Sequence, residues 1–204
     1  MAWLLVSSYA FGASMLATDA LPGFVYLTAL HLVFTVVLLT VTHRPAVGAR
    51  YVIWLLACGL LGWYVEYVGV HGGWLFGSYI YGHVLGPKWR GIPLVLGVNW
   101  VLVVYTVATT VGMALPRVPR WAKAVTGAAC LTLLDVLIEP TAIALDFWTW
   151  TTGAPPLQNY LGWFGVSLLQ CGIFYLLLPF TENRLAPLTL LLQVGFFAVL
   201  ATAL

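Results

Sequence analysis

Seven times in 204 residues the chain runs close to the length of a membrane span with almost no charge. A helix needs about 20 largely apolar residues to cross the hydrocarbon of a bilayer. The runs lie at roughly 2–18, 24–42, 51–69, 93–114, 122–145, 161–180 and 186–203. They are separated or bounded by Pro22-Gly23, His43-Arg44-Pro45, the stretch from Pro116 to Pro119, Pro155-Pro156 and Pro187, residues that interrupt helices. Backbone inside lipid must satisfy its own hydrogen bonds. Runs of this length therefore predict an all-α integral membrane protein, a polytopic bundle of about seven transmembrane helices. The first run is short and the last follows closely on the sixth, so six is the alternative count.

Composition points the same way. The chain is 62% hydrophobic and 7% charged, against about 25% charged in a soluble domain. Its net charge of +2 comes from single basic residues scattered among loops, which is not a nucleic-acid surface. The N-terminus lacks the basic region of a signal peptide and reads as a first membrane helix. Cys58, Cys130 and Cys171 lie inside apolar runs, at spacings that suit neither a metal knuckle nor a redox pair. No internal repeat or soluble insertion is visible, so residues 1–204 read as one transmembrane domain.

Basic loop residues set the expected orientation. Arg44, Arg50, Arg117, Arg120, Lys123 and Arg184 fall on one side, and Lys88 and Arg90 on the other. That bias predicts a cytoplasmic N-terminus and an external C-terminus, in a bacterial or archaeal cytoplasmic membrane. It also brings the 70–92 and 146–160 connections to the same outer side.

With six acidic residues, each can be weighed. Asp19 and Glu182 read as solvated loop-edge groups. Glu66 ends an apolar run and opens a Gly- and aromatic-rich stretch. Gly59, Gly62, Gly69 and Gly73 recur beside it. They can form a small-residue face for close helix approach and, compatibly with it, a groove for a long, flat ligand. Asp135 and Glu139 are four apart and share a helix face. Pro140 follows, and Asp146 returns to that face if the helix stays regular. Carboxylates gathered on one buried face cannot all ionise, so one is expected to remain a protonated acid and proton donor. A structural network, or pairing with Lys88 or Arg90, is the competing reading.

Histidines are spread singly. His31 reads as a lone helix histidine and His43 as an interfacial loop residue, while His71 and His83 bracket the Gly-rich stretch. No metal site is expected from them. Asn99 and Asn159 are apolar-flanked amides that either position a water or tie helices together. Trp3, Trp54 and Trp121 fit an interfacial belt. The rings of Trp74, Phe76, Tyr79 and Tyr81, and of Phe147, Trp148, Trp150, Tyr160 and Trp163, exceed what a belt needs. Such rings can line an apolar tunnel and stabilise a cation over their faces.

Three stretches carry a resemblance: EYVGVHGGWLFGSYIYGHVLGP (Glu66 to Pro87), LLDVLIEPTAIALDFWTW (Leu133 to Trp150) and PPLQNYLGWF (Pro155 to Phe164). Their combination of E-x-x-G-V-x-x-G, D-x-x-x-E-P and N-Y-x-G-W resembles the carotenoid biosynthesis family, in particular CruF-type carotenoid 1,2-hydratases, from about the third run through the sixth. The resemblance implies cofactor-independent addition of water to the terminal C-1,2 double bond of an acyclic ψ-end, of lycopene or γ-carotene type. The carotenoid would come from the bilayer, with lipid around the chain. A homo-oligomer, or association with other carotenoid enzymes, is compatible with this reading.

That chemistry needs an acid to protonate C-2, a lining that stabilises a tertiary cation at C-1, and a positioned water. Asp135 or Glu139 is the expected acid and Glu66 the group orienting water, with Asp146 and His71 completing the catalytic set. Trp74, Phe76, Tyr79, Tyr81, Asn99, Trp148, Asn159, Tyr160 and Trp163 are the expected substrate-binding residues. A lycopene-type cyclase would share the acid and the aromatic lining but exclude water. A carotenoid-binding subunit would need only the lining. A transporter predicts related halves, and none is visible.

Overall fold

A computed structural model describes residues 1–18, 20–45 and 47–204. Asp19 lies outside the described residues. The elements, in order, are α1 (Ala2–Thr18), a 3-10 turn (Phe24–Leu27), α2 (Thr28–Val41), α3 (Ala49–Gly72), β1 (Tyr79–Tyr81), β2 (Lys88–Trp89), β3 (Ile92–Pro93), α4 (Val95–Ala114), α5 (Arg120–Ala144), β4 (Trp148–Trp150), α6 (Leu157–Leu177) and α7 (Leu185–Ala203). Among the described residues there are thus seven α-helices. Six helical segments, counting the 3-10 turn with α2, are long and apolar enough to span a bilayer. The other, α1, is apolar but only 17 residues long, about 25 Å at the helical rise. The chain is a polytopic helical membrane protein.

α4 is the axis of the bundle. It is apolar on every side, the pattern of a helix enclosed by others, and 14 of its 20 residues are buried. α2, α3, α5, α6 and α7 pack around it, while α1 lies against α7 and the 3-10 turn. α3 crosses α4 where small residues meet. A Cβ on Gly97 would stand 2.8 Å from the Gly59 carbonyl oxygen. Gly62 backs directly onto Trp100, and Gly69 is covered by Phe76 and Tyr79. Neighbouring side chains fill this small-residue face, so it is a packing face and not a ligand groove.

Helix ends differ from the sequence-based runs in ways that matter. α3 continues past Glu66 to Gly72, and Gly73 closes it in the left-handed region, at φ 66°. α6 begins at Leu157, directly after Pro156, which puts Asn159 on its first turn. α5 contains Pro140 yet runs on to Ala144. Asp146 then adopts φ 56°, the chain leaves the helical path, and the Asp146 side chain is exposed. The expectation that Asp146 rejoins the Asp135 face fails for that reason.

The two long connections do meet. β1 and β4 pair antiparallel, matching Tyr79 with Trp150 and Tyr81 with Trp148. β2 and β3 form a separate hairpin, turning at Arg90 and Gly91, whose φ values of 49° and 83° are both positive, as a two-residue I′ turn requires. Lys88 Nζ donates to the Tyr81 carbonyl at 2.7 Å and Arg90 stacks on Trp89, so neither is the partner of a buried carboxylate.

At the opposite end of the bundle, Arg44, Arg120, Lys123 and Arg184 line a crevice of about 1030 Å³. His43 is buried there, with Nδ1 2.9 Å from the Tyr105 hydroxyl. Burial pushes its pKa down, and it belongs to the packed interior of this end, not to the interface. Trp54 is likewise fully buried, against Tyr105 and Phe174, and not in a belt; Trp3 and Trp121 are exposed.

Gly62→Val is expected to force Trp100 off α3 and destabilise the protein by about 1–3 kcal/mol, the range for overpacking. Gly165→Ala, where an added Cβ meets nothing within 4 Å, leaves the midpoint unchanged or slightly raised. Thermal unfolding in detergent measures both.

Candidate functional site

Alternate residues of a strand face the same side. On β1 these are Tyr79 and Tyr81, and both hydroxyls donate to Glu66 Oε2, each at 2.7 Å. Trp100 Nε1 donates to the other oxygen, Oε1, at 2.9 Å. β4 repeats the device with Trp148 and Trp150. Their indole N–H groups donate to Glu139 Oε2 at 3.1 and 2.9 Å. One short ribbon thus presents four aromatic donors to carboxylates from two helices. Burial, and after it the Glu66 charge, push both tyrosine hydroxyls well above the ordinary phenol value. They stay protonated and serve as donors.

Asp135 lies one turn before Glu139 and is 1% exposed. Its Oδ2 accepts from Asn159 Nδ2 at 2.7 Å, and the same amide reaches Glu139 Oε1 at 3.4 Å. Asp135 Oδ1 is buried and has no hydrogen-bond partner. Of the three carboxylates, only Asp135 has a buried oxygen left without a donor.

A polar cavity of about 30 Å³ lies among these groups. Room for a water begins at about 10–15 Å³ on this measure. Glu66, Asp135, Glu139, Asn99 and Asn159 face it, with Phe76, Tyr79, Tyr81, Trp148, Trp150 and Trp163 as its aromatic wall. Leu96, Asn99, Trp148 and Trp163 also line a second, mostly apolar groove of about 130 Å³, bounded by residues of α1, α2, α4, α5 and α7. Trp163 is held flat against Trp100, with ring centroids 4.5 Å apart. Among the described residues no group of three or more His, Cys, Asp or Glu is disposed to hold a metal ion.

Four of the expected site residues stand elsewhere. Asp146 is on the exposed turn after α5. His71 is exposed, with Nδ1 2.9 Å from the Tyr67 carbonyl, because the last turn of α3 faces it away from Glu66. Trp74 is 66% exposed beyond the Gly73 turn. Tyr160 is half-buried on α6 and lines neither cavity, since its neighbour Asn159 takes the inward direction. Two donors were not among the expected site residues: Trp150, noted from sequence only as a surplus ring, and Trp100. Trp150 has a sequence signal, the period-two pattern Trp148-Thr149-Trp150. Trp100 has only an indirect one, Gly62 one turn before Glu66, which makes the room it occupies.

Residues 26–204 match the family model described as carotenoid biosynthesis protein. The chain belongs to the carotenoid biosynthesis protein family. Among curated relatives it is 31% identical over 146 residues to bisanhydrobacterioruberin hydratase of Haloarcula japonica, an alignment covering 69% of this chain and 48% of that protein. The chain spans about half the length of that relative. No solved structure matches it. This carotenoid-biosynthesis chain therefore carries its buried carboxylates inside the region that the family model covers.

Tyr81→Phe and Trp150→Phe each remove one donor from a buried carboxylate oxygen. Each is expected to lower stability by about 1–3 kcal/mol. Asp146→Asn, at an exposed position, leaves thermal unfolding in detergent unchanged.

Proposed function

We propose that this chain is a carotenoid 1,2-hydratase acting on an acyclic ψ-end, of lycopene or γ-carotene type. One observation carries the reading: a buried carboxyl with an unpartnered oxygen lines a water-sized polar cavity that shares Leu96, Asn99, Trp148 and Trp163 with an adjacent apolar groove. The family and the hydratase relative support it.

Asp135 is the acid. Asn159 holds Oδ2, and Oδ1 transfers its proton to C-2 of the terminal double bond. The electron pair of the alkene forms the new C–H bond, and the positive charge is left on the tertiary C-1. Indole and phenol faces, together with the Glu139 carboxylate, stabilise that cation in a site with little water to screen them. A water in the polar cavity, oriented by Asn99 and by Glu139 Oε1, adds to C-1. The resulting oxonium returns a proton to Asp135 Oδ1, so the acid is regenerated and the net change is one water added.

Glu66 takes a supporting part. Three donors already engage its two oxygens, and it fixes the ribbon that carries the cation-stabilising rings. The polyene enters from lipid along the apolar groove. The basic crevice at the far end supports an orientation with that end in the cytoplasm.

Expression in lycopene-accumulating cells tests the reading. A more polar pigment, heavier by one water and with its oxygen drawn from labelled water, is expected. Asp135→Asn should lower its formation by about 10²–10⁴-fold, the range of general-acid contributions. A product of unchanged mass with a shortened chromophore would establish cyclisation instead. Unchanged lycopene, with the protein present in the membrane, would reject both.

A further inference from the structure

The apolar groove contains a polar patch that hydration at Asp135 does not use. Gln193 of α7 is 4% exposed and lines the groove, yet its amide oxygen has no partner. Ser8 of α1 and His31 of α2 line the same groove. Ser8 Oγ gives its one hydrogen to the Leu5 carbonyl at 3.0 Å. At the 3.2 Å contact between Ser8 Oγ and His31 Nε2, the ring nitrogen is therefore the donor. In a neutral imidazole the other nitrogen, Nδ1, is then an acceptor. Thr28, also in the lining, donates its hydroxyl to the Val25 carbonyl at 2.7 Å. Most of the remaining wall is aliphatic and aromatic.

An unpartnered amide oxygen at membrane depth is unfavourable until a donor reaches it. The groove and the carboxylate cavity lie against each other, with Leu96, Asn99, Trp148 and Trp163 lining both. A polyene reacting at Asp135 would extend past those residues toward the patch. We propose that Gln193, together with His31, forms a specificity subsite for a hydroxyl group carried on the polyene, remote from the double bond that is hydrated. The ligand hydroxyl would donate its one hydrogen to Gln193 Oε1, the unpartnered acceptor, with the His31 ring, held through Nε2 at Ser8, packed as the wall beside it. This inference rests on the hydratase reading for the position of the reacting end, but its binding arm does not depend on turnover.

The experiment uses the full chain, purified in detergent, as wild type, Gln193→Met and His31→Phe. Methionine is close to glutamine in length and volume, which favours retention of the packing. Each protein is offered an equal mixture of two polyenes of the same length and end group, one hydroxylated and one a hydrocarbon. The retained pigments are measured, as is kcat/KM for each. Wild type should retain the hydroxylated polyene in excess. Both variants should lower the hydroxylated-to-hydrocarbon ratio, in retention and in kcat/KM, by about tenfold, through KM for the hydroxylated substrate. A general packing defect would lower both substrates alike and leave the ratio unchanged. An unchanged ratio in both variants, or no preference in wild type, overturns the subsite. If wild type hydrates neither polyene but shows a retention preference that Gln193→Met abolishes, the subsite stands and the hydratase reading falls.

Discussion

Three carboxylates buried at one end of an apolar bundle set the terms for the rest of this protein. Water is scarce at that depth, so each oxygen needs a donor from the protein. The ribbon of β1 and β4 supplies most of them, with two phenols for Glu66 and two indoles for Glu139. Hydrogen bonds to charged groups contribute about 1.5–3 kcal/mol each. They also polarise one another in a low dielectric. The ribbon, the end of α3 and the last turns of α5 therefore hold each other in place. Any one of them displaced leaves a buried acceptor unpaired.

Tyrosine and tryptophan suit this position because one side chain does two jobs. The polar edge donates and the ring excludes water. In the proposed mechanism the same faces stabilise the carbocation. A site built on lysine or serine donors would be wetter or carry a competing positive charge. Asn159 donates to Asp135 Oδ2 and reaches Glu139 Oε1, and leaves Asp135 Oδ1 without a donor. That unequal provision of donors sets Asp135 apart from Glu66 and Glu139, whose oxygens are all engaged.

Packing and chemistry are joined in α3. Gly62 lacks a side chain, Trp100 occupies the space, and its indole N–H reaches Glu66 one turn further on. The small residues thus serve the site by bringing a neighbouring helix close, while the apolar groove opens elsewhere. It lies where α1, α2 and α7 meet α4 and α5, around side chains contributed from distant parts of the chain.

The sequence by itself determined what depends on local period and length. Apolar runs marked the spanning helices to within a few residues. The interval of four put Asp135 and Glu139 on one face, and the unusual composition of the 70–92 and 146–160 connections marked them as neighbours. What it could not carry were directions after a helix ends. One left-handed residue, Asp146, turns its own side chain outward, and the Gly73 turn does the same for Trp74. His71 and Tyr160 face away because a helix turn, not sequence proximity, sets direction. The Trp100 contact and the apolar groove belong wholly to the tertiary structure. Each is formed by residues from separate helices, and periodicity within one segment holds no record of what another segment will place against it.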